Sequence, residues 1–338
     1  NLTDSAVTPS DAFSIVTYTG DGSSQAITGV GFQPDFVWIK KIAGGTVRNH
    51  ILTDVVRGAT TCLSSSLADA DFDNANGLTA FGTDGFTVGS YDSVNEDSGT
   101  YIAYCWKAGS GNTAFTESGN NPAGTHNANQ AAGFSIVSYT GTGAAGTVSH
   151  GLGAAPELMY IKNRDVNDAW AVYYGDNTDY MILNTTAATA DSANWWNDTS
   201  PTSSVFTVAT DHSVNADAEN YIAYCWRSIE GYSKIGSYTG NGNATGTFVY
   251  TGFRPAYILI KKTGAVSHWQ IHDTTRDPVN VMQGQIHANA TDHSVDNAAY
   301  YVDSLSNGFK LRMSHAGQNE NAENYIYVAF AETPFKYA

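Results

Sequence analysis

The sequence predicts an all-β protein built from three tandem antiparallel β-sandwich domains with a jelly-roll-like strand arrangement. Three short segments recur in the same order three times along the chain. The distance between copies is the length of a whole domain, and the segments are rich in the aromatic and β-branched residues that favour strands. Short strands separated by turn residues are typical of antiparallel sandwiches.

Each repeat is marked by three segments. The first ends in Tyr-Thr-Gly and covers residues 13–20, 134–141 and 233–240. The second places a proline before an apolar run that ends in lysine, and it covers residues 31–41, 153–163 and 252–262. The third closes the unit with a strand that starts at Tyr-Ile, and it covers residues 94–106, 214–226 and 318–330. A threefold recurrence in one order indicates an array of one domain.

The spacing of the repeats distinguishes domains from solenoid units. Tyr18 and Tyr139 are 121 residues apart, and Tyr139 and Tyr238 are 99 apart. Solenoid repeats are roughly 20 to 50 residues long because one unit cannot bury a core alone. A unit of about 100 residues is large enough to fold independently. The predicted boundaries are repeat 1 at 1–110, a Gly/Asn/Ala-rich linker at 111–132, repeat 2 at 133–229 and repeat 3 at 230–338.

The linker allows repeats 1 and 2 to pivot, whereas the short junction at 227–232 holds repeats 2 and 3 close. Within the third segment, Tyr101, Ala103 and Cys105 are predicted on one strand face and the intervening residues on the other. The dipeptides Asp84-Gly85 and Asn307-Gly308 predict β-hairpin turns.

Charge and cysteine content limit the possible settings. The formal net charge of −16 argues against nucleic acid binding, which requires clustered Lys and Arg. No apolar run is long enough to span a membrane. Cys105 and Cys225 occupy the same position in different repeats, and Cys62 has no counterpart. We therefore expect three free thiols rather than a disulfide, which is compatible with assembly in a reducing cytoplasm.

The markers resemble a known family. The sequence that carries the resemblance consists of Tyr-Thr-Gly-Asp-Gly at 18–22, the second segment at 31–40, Asp54-Val-Val-Arg-Gly58, Gly-Phe-Thr-Val-Gly at 85–89 and the strand at 101–109. It resembles a domain of uncharacterised function that recurs in tail-fibre-like and other structural proteins of bacteriophages, many of them aquatic. Repeat 3 keeps only Asp273-Thr-Thr-Arg276, and repeat 2 has no clear copy of this motif. The resemblance implies a virion surface component and transfers no catalytic residue.

The chain is not expected to be an enzyme. It has no nucleophile elbow, zinc-binding His-Glu-x-x-His, Walker A or Cys-x-x-Cys motif. Five of its nine histidines lie in repeat 3, and polar surface positions are favoured over a zinc site for them: His268, His272, His287, His293 and His315. No cofactor is expected except structural calcium, for which acidic loops offer oxygen ligands: Asp69, Asp71, Asp73, Asp176 and Asp179. The alternative is that these carboxylates belong to ordinary loops of an acidic protein.

Trp195 and Trp196 are the candidate binding residues because they occur in repeat 2 alone. Adjacent residues of a strand point to opposite faces, so at least one indole is expected outside the core. A subunit interface is the favoured role, a host-glycan site is the second, and plain loop packing is the alternative. By contrast, the tryptophans inside shared markers are expected to be core residues: Trp38, Trp106 and Trp226.

Together these observations predict a non-catalytic structural protein on a phage virion surface, as a tail-fibre or receptor-binding segment or a capsid decoration. Its expected partners are other copies of itself, other virion proteins and a host-surface glycan. A trimer is expected by analogy with phage fibres. A secreted cell-surface or extracellular filament subunit with lectin-like binding is the alternative, and a particle-associated polysaccharide depolymerase is the third possibility.

Overall fold

The computed structural model describes residues 11–296 and 298–332, and its regular structure is almost entirely antiparallel β. This confirms the predicted all-β class. The helices in the described residues are single turns, and none is long or apolar enough to cross a membrane: Asp92–Asn95 (α1), Ala193–Trp196 (α2), His212–Asn215 (α3), Ala316–Asn319 (α4) and the 3₁₀ turn Ala298–Tyr300.

The strands of repeat 1 are Phe13–Thr19 (β1), Gln25–Thr28 (β2), Phe36–Ala43 (β3), Ile51–Asp54 (β4), Thr61–Cys62 (β5), Phe72–Asp73 (β6), Leu78–Gly82 (β7), Gly85–Val88 (β8) and Thr100–Trp106 (β9). They form an inner sheet in the order β1-β9-β3-β4, an outer sheet in the order β2-β8-β7, and the short pair β5-β6. The predicted hairpin at Asp84-Gly85 joins β7 to β8.

Repeat 2 continues with Thr113–Phe115 (β10), Ala123–Asn129 (β11), Phe134–Thr140 (β12), Gly146–Ser149 (β13), Leu158–Asn163 (β14), Trp170–Tyr173 (β15), Asp179–Ile182 (β16), Ala190–Asp191 (β17), Val205–Val208 (β18) and Asn220–Trp226 (β19). Its inner sheet has the order β10-β11-β12-β19-β14-β15-β16-β17, and its outer sheet is β13-β18.

Repeat 3 has Ser233–Thr239 (β20), Phe248–Tyr250 (β21), Pro255–Lys262 (β22), Gln270–Asp273 (β23), Gly284–His287 (β24), Val295–Asp296 (β25), Val302–Leu305 (β26), Gly308–Leu311 (β27) and Asn324–Ala331 (β28). Its inner sheet has the order β20-β28-β22-β23-β24-β25, and its outer sheet is β21-β27-β26. The same four-strand pattern therefore recurs as β1-β9-β3-β4, β12-β19-β14-β15 and β20-β28-β22-β23, as the sequence markers predict.

Register confirms the equivalence of the marker residues. Tyr18, Tyr139 and Tyr238 each pair with the first tyrosine of the closing strand, at Tyr101, Tyr221 and Tyr325. The isoleucines at the centre of the second marker are buried in all three repeats, as expected: Ile39, Ile161 and Ile260. The markers are thus the central strands of the inner sheets.

Both faces of each inner sheet are buried. In repeat 1, Tyr101, Ala103 and Cys105 pack with outer-sheet residues in one core. The alternate residues of the same strand, Ile102, Tyr104 and Trp106, enter a second core that contains side chains of all three repeats, and we call this cluster the central core. The alternation of the strand was predicted, but the central core was not.

The three repeats contact each other in a ring. Phe36 stacks on Tyr224 at 4.2 Å between ring centroids, which joins repeats 1 and 2. The Tyr160 and Trp269 rings meet edge to face at 6.3 Å and join repeats 2 and 3. A stacked pair at 4.7 Å, Phe13 with Phe330, joins repeats 3 and 1. Each repeat therefore contributes to two of the three inter-repeat seams.

Hydrogen bonds follow the same cyclic order. Trp170 Nε1 donates to the Ser64 carbonyl at 2.8 Å, from repeat 2 to repeat 1. Trp269 Nε1 donates to the Ile182 carbonyl at 3.0 Å, from repeat 3 to repeat 2. At the equivalent position of repeat 1, His50 Nε2 lies 2.9 Å from the carbonyl oxygen of His287 in repeat 3. The equivalent residues at the start of β4, β15 and β23 thus each make a hydrogen bond across one of the three seams.

The segment 111–132, predicted as a Gly/Asn/Ala-rich linker, contains two strands that join the inner sheet of repeat 2. Residues 123–129 form β11, which pairs along all of β12, and β10 pairs with β11 in turn. The segment has little apolar periodicity because strands at the margin of a sheet are held by backbone hydrogen bonds, which do not depend on side-chain type. Together with the central core, this pairing leaves no pivot between repeats 1 and 2.

Candidate functional site

Trp195 and Trp196 are both buried, with 5% and 1% of their surfaces exposed. The prediction that one of them leaves the core is wrong because they lie on the single turn α2 rather than on a strand. Trp195 stacks on Tyr180 at 3.7 Å between centroids, and Trp196 donates from Nε1 to the Asp179 carbonyl at 3.1 Å. Neither indole is exposed enough to contact a partner subunit or a sugar, so the structure gives no support to their predicted binding roles.

The acidic loop residues make contacts within the fold. Asp71 accepts from Arg164 Nε at 2.7 Å, which ties repeat 1 to repeat 2, and Asp73 accepts from the Thr61 hydroxyl at 3.0 Å. Asp176 accepts the backbone amide of Thr178 at 3.0 Å. In the described residues no three His, Cys, Asp or Glu side chains converge as a metal site would require, and this includes the calcium candidates Asp69, Asp71, Asp73, Asp176 and Asp179.

The tyrosines shared by the repeats perform a structural task. Tyr18 and Tyr101 stack at 5.2 Å, and the equivalent pairs in repeats 2 and 3 stack at 5.0 and 5.1 Å. The Tyr101 hydroxyl donates to the Asp92 carbonyl and accepts from the Glu96 amide, so it closes both ends of α1. Tyr221 and Tyr325 hold α3 and α4 in the same way.

The Asp-x-x-Arg motif is also structural. Arg57 Nε donates to Asp54 at 2.6 Å, and both side chains are fully buried. Tyr224 of repeat 2 donates to the same carboxylate at 2.7 Å. The copy in repeat 3, Asp273 with Arg276, accepts from Tyr104 of repeat 1. At the third seam Tyr174 and Val328 occupy the equivalent positions, so the motif and its tyrosine partner are lost together.

All three cysteines are free, as predicted, and all three are buried. Burial raises the pKa of each thiol, and this lowers the thiolate fraction that reacts with alkylating reagents. We expect iodoacetamide to label none of the three in the native protein and all three after unfolding without reductant. Intact-mass spectrometry measures both states, and a native adduct would contradict the burial of that thiol.

The expectation of surface histidines is wrong for His272, which is fully buried in β23 and contacts Gln318. Burial lowers the pKa of His272 to about 3 and that of His287 to about 4. His150 in repeat 2 is buried too, and its pKa is lowered to about 4. These rings are therefore neutral in the folded protein at neutral pH.

This burial predicts acid destabilisation. Below about pH 6.5 the unfolded chain protonates these histidines while the folded chain does not, so the unfolded state binds more protons. The free energy of unfolding has its full value above about pH 6.5. It decreases as the pH falls towards 4, by up to about 1.4 kcal/mol per pH unit for each histidine. Urea unfolding at several pH values measures this slope. His272→Gln should flatten it and the exposed His212→Gln should not; an unchanged slope in the first variant would contradict the prediction.

An open cleft in repeat 1 is the candidate binding site. It has a volume of about 550 Å³ and is lined by the loop before β4, the turn between β6 and β7, the residues around α1, and Thr291 of repeat 3. The lining side chains are mostly polar: Arg48, Asn49, Asn74, Asn76, Ser90, Tyr91, Asp92 and Ser93, with Val47 at the rim. The cleft therefore lies on the seam between repeats 1 and 3.

Internal contacts fix several of these groups. Arg48 pairs with Asp92 at 2.5 Å and reaches Glu96 at 3.4 Å. Lys41 donates to the same Glu96, and these cations lower the pKa of that carboxyl. Asn49 Oδ1 accepts from the Ser66 hydroxyl, and Asn74 Oδ1 accepts from the Asn76 amide. Each amide oxygen accepts a hydrogen bond within the fold, which orients the NH₂ group of the same side chain as a donor.

The other repeats differ at this place. Position 91 is Tyr in repeat 1 but Asp211 and His315 in repeats 2 and 3, where the side chain caps the following turn. In repeat 2, Ser213 donates to Asp168 at 3.0 Å, so these two groups satisfy each other. Sequence reasoning missed the cleft, although the change from a capping residue to tyrosine just before the third marker was a detectable signal.

Residues 8–334 match the model of a family described as a domain of unknown function (DUF7483), and the chain therefore belongs to this family. The match runs through all three repeats. No curated protein and no solved structure matches the chain.

Proposed function

We propose that this DUF7483 chain is a non-catalytic component of a virion exterior that works through contacts with other subunits and with a host glycan. Its fold is proposed to be three β-sandwiches joined by one central core. The phage resemblance of the markers supports the virion setting. Other copies of the chain and other virion proteins are the proposed subunit partners, and the virion surface is the proposed location.

The observation that carries this proposal is the division between shared and divergent residues. The residues common to the repeats are buried and hold strands and turns in place, as Tyr101, Tyr221 and Tyr325 do. The loops at the edges of the sheets differ between the repeats, and loops of repeat 1 line most of the cleft. Variable loops on a rigid body are typical of binding proteins. A shared catalytic constellation of base, nucleophile and orienting partner is not found among the described repeat residues.

Labelling of intact particles tests the virion proposal. Particles purified from an infected culture are probed with antibody against this chain, with an antibody against an internal virion protein as the control. Labelling of intact particles by the first antibody alone is the expected result. Recovery of the chain only from uninfected cell envelopes or filaments would favour the alternative of a cell-surface subunit. Release of reducing ends from host polysaccharide by the purified chain would instead indicate a depolymerase.

A further inference from the structure

We propose that the cleft around Tyr91 binds a neutral oligosaccharide. This inference rests on the proposed glycan-binding function and assigns it to one site in repeat 1. The cleft volume of about 550 Å³ lies within the range of roughly 300 to 1,000 Å³ that is usual for small-molecule sites.

The balance of charge at the cleft favours an uncharged ligand. Arg48 and Lys41 face two carboxylates, Asp92 and Glu96, and the ion pairs among these four side chains balance their charges. The neighbouring Lys40 is fully buried and donates to the backbone carbonyls of Arg48 and Thr291. The charge of Asp92 is paired with that of Arg48, so a cationic ligand would find no unpaired negative charge on this carboxylate. The remaining lining groups are amides and hydroxyls, which pair with neutral donors and acceptors.

The hydrogen-bonding groups match the hydroxyls of a sugar. The oriented NH₂ groups of Asn49 and Asn74 donate, and the carboxylate of Asp92 has oxygen lone pairs that remain available to accept. Asn76, Ser90 and Tyr91 also line the cleft, and no side-chain hydrogen bond to another described residue occupies them. A sugar ring presents hydroxyls that both donate and accept, so it can satisfy this mixture.

The aromatic residues supply the apolar part of the site. Tyr91 lines the cleft, and the ring of Phe72, which is 36% exposed, meets it edge to face at 6.5 Å. Aromatic side chains combine an apolar face with a polar edge, which suits the C–H face and hydroxyl rim of a sugar ring. Repeats 2 and 3 lack this tyrosine, so we infer one such site per chain.

Glycan binding by the full-length protein tests the inference. Fluorescently labelled protein is applied to an array of neutral, sialylated and sulfated glycans, and the best neutral glycan is then titrated by calorimetry. We expect retention on neutral glycans and little change in affinity between low and high ionic strength, because no charge pairing is involved. Failure to retain any neutral glycan, or preference for the charged set, would overturn the inference.

Variants connect the binding to the cleft. Tyr91→Ala should abolish binding, and the exposed Asn76→Ala should weaken it about tenfold, which corresponds to one lost hydrogen bond. Asn112→Ala, an exposed asparagine outside the cleft, is the matched control and should bind like the wild type. If Asn76→Ala and Tyr91→Ala both bind the glycan with wild-type affinity and have unchanged melting curves, the cleft is not the binding site. Particle labelling with no glycan binding would leave the virion proposal standing, and the reverse result would leave the cleft standing.

Discussion

Replacing Arg57 with methionine should lower the free energy of unfolding by about 3 to 5 kcal/mol, because it leaves the buried Asp54 carboxylate without its cation. The guanidinium also donates to the Leu52 carbonyl at 3.0 Å and to the Tyr224 hydroxyl at 3.1 Å. The loss therefore affects the turn after β4 and the seam between repeats 1 and 2 together. Urea unfolding followed by circular dichroism measures the change.

Two further variants show how much of this loss comes from the buried ion pair. Arg312→Met removes an ion pair to the largely buried Asp303, but the Arg312 side chain is 49% exposed, so water replaces part of the lost interaction and the cost should be smaller than that of Arg57→Met. Tyr224→Phe should cost about 1 to 3 kcal/mol because it removes one donor to a buried carboxylate. If Arg57→Met proves as mild as Arg312→Met, the buried pair is not a major contributor to stability.

Replacing Trp170 with alanine should cost about 3 to 5 kcal/mol, since the side chain is fully buried in the central core. Its Nε1 also donates to the Ser64 carbonyl of repeat 1, so the substitution opens the seam between repeats 1 and 2. Because the repeats share this core, we expect the wild-type chain to unfold in one cooperative transition. Differential scanning calorimetry measures both the number of transitions and the loss.

The control variants distinguish the loss of core packing from a loss of stability that any aromatic substitution would cause. Tyr250 is 60% exposed, and Tyr250→Ala should change stability by less than about 0.5 kcal/mol. Trp170→Phe keeps an aromatic ring but loses the indole donor and part of the buried volume, so its cost should lie between those of Trp170→Ala and Tyr250→Ala. Three separate transitions in the wild-type protein would show that the repeats unfold independently and that the central core contributes little.

The sequence allowed the inner strands, the hairpins and the repeat equivalence to be predicted, because these depend on local residue patterns. The alternation along β9 correctly separated Tyr101 from Ile102, but it did not indicate that both faces of the sheet are buried. Every residue from Tyr101 to Trp106 is apolar or aromatic, and a continuous run of this kind indicates a strand buried on both faces. This continuous apolar run was therefore the local sequence feature that indicated the central core.

The remaining features depend on contacts between distant residues. The burial of Trp195 and Trp196 follows from a single helical turn that ends at Asn197 in the left-handed conformation, with φ of 53°. A four-residue turn has no periodicity that a sequence pattern can detect. The cleft likewise requires Thr291 of repeat 3 to meet Tyr91 of repeat 1, and no local pattern encodes that approach.

The ring of three repeats within one chain makes the central core independent of protein concentration. In a homotrimer an equivalent core forms only when three molecules meet, so its stability falls on dilution. Here the covalent connections keep the repeats at a high effective concentration at any dilution. A single chain also encodes each seam separately, which is why the seam with Tyr174 and Val328 differs from the two that carry an Asp–Arg–Tyr cluster. A substitution at one seam leaves the other two intact, whereas in a homotrimer it would be present in all three.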